Sequence, residues 1–201
     1  MPTRWYRERK KEYYYRTAKK EGYRARSAYK LLQIQKRYRI IRKGNLVIDL
    51  GAAPGGWSQV AVQRGAKVIA VDKDYMDPIE GVHFIQGDIT EQSTIQKIKE
   101  KAEKVDVVIS DISPNISGNY TLDQARSTWL SENALNIAMK TLKENGRFVC
   151  KVFVGEDYPE FLKKIKENFR MVKAFSPQAS RKSSSEIYVI AIGFKGKREA
   201  I

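Results

Sequence analysis

Residues 147–154 read RFVCKVFV, an apolar run with the composition of a strand and a lysine, Lys151, in its middle. A buried ammonium is costly, and lysine is rarely buried without a partner. A lysine in such a place suits proton transfer, or anchors a hydroxyl, when a polar network holds it. Three other apolar runs end in aspartate, at Asp72, Asp88 and Asp111. One aspartate at a strand end is often just a helix cap. Three on successive strands form an acidic rim.

The run ahead of them, LVIDLG, leads into GAAPGGWSQV. In a doubly wound sheet the loop after the first strand is where a nucleotide-like ligand binds. Gly51, Gly55 and Gly56 would let the backbone approach such a ligand, and Pro54 stiffens the turn. The dinucleotide fingerprint GxGxxG is absent, which speaks against an oxidoreductase. An acidic rim also disfavours a pyrophosphate and favours a cation carrying hydroxyls. S-adenosylmethionine meets that description, with its sulfonium, ammonium and ribose diol. Asp72 is then placed for the ribose, Asp88 for the adenine amino group and Asp111 nearer the methionine end.

The elements that must position these residues follow from periodicity. Strands are expected at 46–51, 67–72, 83–88, 105–111, 147–153, 170–175 and 186–194. Helices are expected near 24–38, 56–64, 91–101, 122–143 and 157–168. Alternation of this kind gives an α/β fold, a seven-stranded, mostly parallel sheet with helices on both faces. The connection SPQASRKSSS has no helical pattern, so the last strand returns antiparallel near one edge.

Of the formal charge of +15, residues 1–43 carry +13, from 16 Lys and Arg against Glu8, Glu12 and Glu21. The same stretch holds seven of the eleven tyrosines. Cations neutralise phosphates and aromatic rings stack on unpaired bases, so the expected partner is RNA. No helix-turn-helix or zinc pattern points to duplex DNA. Residues 1–23 are read as a basic, tyrosine-rich RNA-binding extension, and 24–201 as a single domain. No apolar run is long enough to span a membrane. One cysteine and one histidine leave few soft metal ligands, so no metal is expected. A cytoplasmic monomer is the expectation.

LGAAPGGWSQV, QGDI, SDISPNISG, CKVFVGE and SRKSSSEIYVIAIGF, in unbroken order over roughly residues 12–195, resemble the FtsJ/RrmJ family of S-adenosylmethionine-dependent RNA 2′-O-methyltransferases. The resemblance implies a Rossmann-like class I methyltransferase fold and a catalytic Lys-Asp-Lys-Glu set. Its members fall on Lys30, Asp111, Lys151 and Glu186. It places the cofactor against Gly51, Ala52, Pro54, Gly55, Gly56, Trp57, Asp72, Asp88, Ile89 and Asp111. DISPNISG and KVFVGE are nearer the branch that modifies a uridine in large-subunit ribosomal RNA. EGYRARSAYKLLQI is equally near the branch acting on tRNA anticodon loops. A non-catalytic RNA-binding assembly factor would share the basic segment without needing Lys151 or Glu186. Of the remaining residues, Trp57 either touches the cofactor or packs under the glycine loop, Trp129 is read as core and His83 as structural. Ser110 and Asn115 are expected to line the cleft, and Arg181 and Lys182 to clamp a phosphate.

Overall fold

A computed structural model describes residues 4–180 and 185–196, with side chains described from residue 12 onward. The chain opens with α1 (Arg4–Lys20) and α2 (Ala28–Tyr38). There follow β1 (Leu46–Leu50), α3 (Gly56–Gln63), β2 (Lys67–Asp72), β3 (Val82–Gln86), α4 (Gln92–Lys101) and β4 (Val105–Ser110). The second half runs α5 (Tyr120–Thr141), β5 (Leu142–Phe153), α6 (Tyr158–Asn168), β6 (Phe169–Phe175) and β7 (Glu186–Phe194). The sheet order is β3-β2-β1-β4-β5-β7-β6. All pairs are parallel except those of β7, which runs antiparallel between β5 and β6. The expected sheet and its one reversed strand are therefore present.

Parallel strands covered on both faces carry near-continuous apolar runs. Val47, Ile48 and Leu50 of β1 and Val107, Val108 and Ile109 of β4 are all buried. One apolar layer lies between the sheet and α4, α5 and α6, holding Ile98, Leu135, Phe148 and Phe161. The other lies beneath α2 and α3, holding Leu31, Ile34, Trp57, Val60 and Tyr188. Helix α1 was not among the expected elements. Its end is tied to the domain: Ala18 is buried, and the Tyr14 ring lies 5.4 Å from that of Tyr29.

Helix α5 corrects the reading of Trp129 as core: its side chain is 54% exposed. Polar residues, Asp123, Ser127, Thr128 and Ser131, fill the buried side of the first half of the helix, and Ala134, Leu135, Ile137 and Ala138 that of the second. Ser131 donates to the backbone carbonyls of Ser127 and Lys151, and the Phe153 amide donates to the Ser127 hydroxyl. These contacts fix α5 against the strand that carries Lys151.

Candidate active site

Strand register assembles the site. In β5 and β7, Lys151 stands opposite Tyr188 and Phe153 opposite Glu186. Residues two apart on a strand share a face, so Lys151, Glu186 and Tyr188 project to one side of the sheet. That side is the one α2 covers, and α2 brings Lys30. Ser110, the end of β4, is in register with Cys150, so Asp111 arrives beside Lys151.

The contacts are close. Lys151 Nζ donates to the Asp111 carbonyl oxygen at 2.7 Å and lies 3.2 Å from Asp111 Oδ1. Lys30 Nζ donates to Glu186 Oε1 at 2.5 Å, and the Ser180 hydroxyl donates to the same oxygen at 2.9 Å. Between these two ion pairs stands Tyr188. Its hydroxyl donates to Asp111 Oδ1 at 2.6 Å, and Lys30 Nζ lies 5.6 Å from its ring centre. Burial, then the charges of Asp111 and Glu186, hold the Tyr188 phenol far above its ordinary range, so it stays a hydrogen-bond donor. Lys151 is 5% exposed in an interior strand, which excludes a solvated edge lysine. Two buried ammonium groups are matched by two carboxylates, as the desolvation of buried charge requires.

Asp111 also lines a cavity of about 580 Å³ at the carboxyl ends of the parallel strands. Asp72, Asp88, Ile89, Ile112 and Asn115 share its wall. The size is that of a small-molecule site. Gly51, at φ +73°, is needed here: a Cβ would fall 2.3 Å from Ile112 Cγ1. Asp72 accepts from the Ala53 and Asp74 amides, both at 2.9 Å, which fixes the carboxylate at the wall. Asp88 Oδ1 accepts from the Thr90 amide and hydroxyl, and these bonds hold its carboxyl below the usual range. Four carboxylates, Asp72, Asp74, Asp88 and Asp111, outnumber the two cations Lys73 and Arg126 around the cavity, a balance that fits a cationic, hydroxyl-bearing ligand such as S-adenosylmethionine. Its sulfonium supplies an activated methyl when bound.

Of the expected cofactor residues, Gly51, Asp72, Asp88, Ile89 and Asp111 reach this wall, while Ala52, Pro54, Gly55, Gly56 and Trp57 lie outside it. Trp57 packs beneath the loop, its indole N–H donating to the Ser27 carbonyl. A Cβ on Gly55 would meet Ile79 and one on Gly56 would meet Ala25. Those two glycines make room for protein neighbours. Asn115 lines the cleft as expected, but Ser110 is buried behind it. His83 is exposed in β3, and Arg181 and Lys182 lie outside the described residues.

Two residues escaped the sequence reading. Tyr188 looks like strand filler in EIYVIAIGF, although its place two after Glu186 puts it on the same face. Asp49, in LVIDLG, is fully buried under the glycine loop. Its Oδ2 accepts from the Ser58 hydroxyl at 2.7 Å, and its Oδ1 has no partner. Burial, with Asp111 and Asp72 nearby, pushes its carboxyl up to about 7.

Removing Asp72 is expected to weaken cofactor binding roughly 10- to 100-fold, the worth of hydrogen bonds to a charged group. Calorimetric titration of Asp72→Ala with S-adenosylmethionine measures it, and unchanged affinity would refute the assignment.

The comparisons with known proteins agree with this geometry. Residues 23–194 match the family described as FtsJ-like methyltransferase. A ribosomal RNA large subunit methyltransferase E from Archaeoglobus fulgidus is 53% identical over 92% of this chain and 97% of its own length. The protein of that name from Francisella tularensis subsp. novicida is 46% identical over 96% of both chains. A crystal structure of a ribosomal RNA methyltransferase from Plasmodium falciparum superposes with a TM-score of 0.80 at 30% identity, covering 87% of this chain and 100% of the other. With a cofactor cavity opening beside a buried Lys-Asp-Lys-Glu cluster, and relatives matched over nearly their full length, this chain belongs to the FtsJ-like methyltransferase family and uses S-adenosylmethionine as its methyl donor.

Proposed function

We propose that this enzyme methylates the 2′-hydroxyl of a uridine ribose in the RNA of the large ribosomal subunit. The observation that carries the reading is the buried cluster of Lys151, Asp111, Tyr188, Glu186 and Lys30 at the edge of the cofactor cavity. Asp111 belongs to both.

A ribose hydroxyl becomes a good nucleophile only as its proton leaves, and methyl transfer from a sulfonium to that oxygen needs alignment and a base. In its reactive, neutral form the Lys151 amine has two N–H groups and one lone pair. Asp111 offers it two acceptors, the carbonyl and Oδ1. The lone pair is then left for the incoming hydroxyl. Tyr188 and Lys151 together hold the Asp111 carboxylate. Lys30 and Glu186 bind the ribose and orient it toward Lys151. Lys151 Nζ would take the proton of the 2′-oxygen as that oxygen accepted the methyl, the methyl–sulfur bond of the cofactor breaking to leave a neutral thioether.

The test is methyl transfer from labelled S-adenosylmethionine to large-subunit RNA, to assembled subunits and to tRNA, followed by mapping of the 2′-O-methyl position. Label confined to tRNA would overturn the substrate reading. Label on a base would overturn the mechanism.

The N-terminal segment supports RNA as the partner by its charge. Truncation of residues 1–11 removes Arg4, Arg7, Arg9, Lys10 and Lys11 but keeps buried Ala18 and the Tyr14–Tyr29 contact. If all five cations meet phosphates, the slope of log K against log salt should become shallower by about 3.5 to 4.5, at ~0.7–0.9 per contact. A salt titration of RNA affinity for full-length and truncated protein measures this, and equal slopes would reduce the segment to a solvated tail.

A further inference from the structure

A second cavity, of about 700 Å³, opens between the carboxyl-terminal ends of α2 and α3. Four cations line it: Lys36, Arg39, Arg42 and Arg64. No carboxylate does. Leu32, Gln35, Lys36 and Arg39 recur at three- and four-residue spacing, so one stripe of α2 forms one wall. Gln35 is buried there and is bound on both sides to the Ile41 backbone, which fixes the 39–42 turn that carries Arg39 and Arg42. Arg64 comes from the end of α3.

Among the described residues, none of the four cations has a carboxylate within ion-pair distance. The neighbouring Arg147 is held below its ordinary range by burial and by the Arg42 charge. Its carboxylate neighbour, Asp106, is taken by Lys143 at 2.9 Å and by the Leu46 amide. Arg39 adds a backbone cost. It caps α2 at φ +49°, a left-handed position where glycine is usual and a side chain is strained. Like charges converging on a cavity destabilise the free protein. Such a site binds an anion.

We propose that this cavity holds phosphates of the RNA substrate at a distance from the reacting nucleotide, so that α2 spans two points of contact. The inference rests on the RNA reading above. Helix α2 places Lys30 in the catalytic cluster, and Lys36 and Arg39 lie about 9 and 14 Å further along its axis. Arg42 and Arg64 precede β1 and β2, at the strand ends opposite the catalytic rim. A phosphodiester strand leaving the catalytic cluster along α2 arrives at the four cations. Arginine forks suit phosphate oxygens, and the contacts fix position without reading sequence.

The test compares the full-length protein with a variant in which Lys36, Arg39, Arg42 and Arg64 are all replaced by Gln. A control variant replaces Lys97, Lys99, Lys101 and Lys163 by Gln; these are exposed on α4 and α6, on the other face of the sheet. Both lose four charges. The cavity variant should bind large-subunit RNA with a salt slope shallower by about 3, at ~0.7–0.9 per phosphate. Its KM for RNA should rise, with kcat at saturating RNA and affinity for S-adenosylmethionine unchanged. The control slope should stay near the wild-type value. Equal slopes for cavity variant and wild type, or equal losses in cavity and control variants, would overturn the proposal. Should the wild type leave ribosomal RNA unmethylated, the functional reading falls, but the slopes on any single-stranded RNA still decide this one.

Discussion

Lys151→Ala should lose methyl transfer by roughly 10²- to 10⁴-fold, the usual contribution of a positioned general base, while S-adenosylmethionine affinity stays as it was. Lys151 is absent from the wall of the cofactor cavity, so its loss removes no contact there. Asp111 keeps its bond from Tyr188, and the carboxylate stays in place. Lys151→Arg separates charge from base. A guanidinium keeps the cation beside Asp111 but does not give up its proton in a protein. If Lys151 accepted no proton and served only as a cation, the arginine variant would retain much of its rate. The expected result is that both variants bind cofactor and both fail in single turnover. A Lys151→Ala enzyme with wild-type turnover would remove Lys151 from the mechanism.

Strand positions were legible in the sequence because parallel strands buried on both faces must be apolar throughout. The runs at 46–50, 67–72 and 105–110 have few other readings. Lysine inside such a run is unfavourable unless partnered, which made Lys151 visible on physical grounds alone. Lys30 and Glu186 were visible only through the family resemblance, because each sits among ordinary neighbours in sequence. Their pairing is made by register and by the approach of α2 to β7, which one-dimensional patterns do not contain. Trp129 misled for a related reason. Mid-helix tryptophan usually marks the core face, but α5 meets β5 through serine hydroxyls, so its polarity is reversed near Lys151. Helix α1 was hidden by its composition. A segment of arginine, lysine and tyrosine shows no apolar stripe, and among its described residues one alanine is buried and one tyrosine packs on Tyr29. The glycines of the loop were expected to let the backbone approach a ligand; Gly51 lines the cavity, whereas Gly55 and Gly56 make room for Ile79 and Ala25.

Asp49 leads to a stability prediction of the opposite sign to most carboxylates. An aspartate in the unfolded chain titrates near 3.8, and the buried Asp49 near about 7. Between those values the folded protein holds one proton more than the unfolded chain. Stability therefore falls as pH rises through this window, by about 1.4 kcal/mol per unit. From pH 5 to pH 8 the loss attributable to Asp49 is on the order of 3 kcal/mol, complete once pH exceeds about 7. Asp88 and Asp106, whose carboxyls are held below the ordinary range, add stability that is already complete above pH 5. They do not mask the effect. The cause is desolvation first, since Oδ1 lacks a partner, and then repulsion from Asp111 and Asp72. The Ser58 hydroxyl pulls the other way without cancelling them. Asp49→Asn keeps the shape and an acceptor for Ser58 but cannot ionise. Urea unfolding of both proteins at pH 5 and pH 8 should show them close in stability at the lower pH and the asparagine variant more stable at the higher. Parallel changes in the two proteins would mean that Asp49 does not titrate in this range, and that the carboxylate under the glycine loop is ionised throughout.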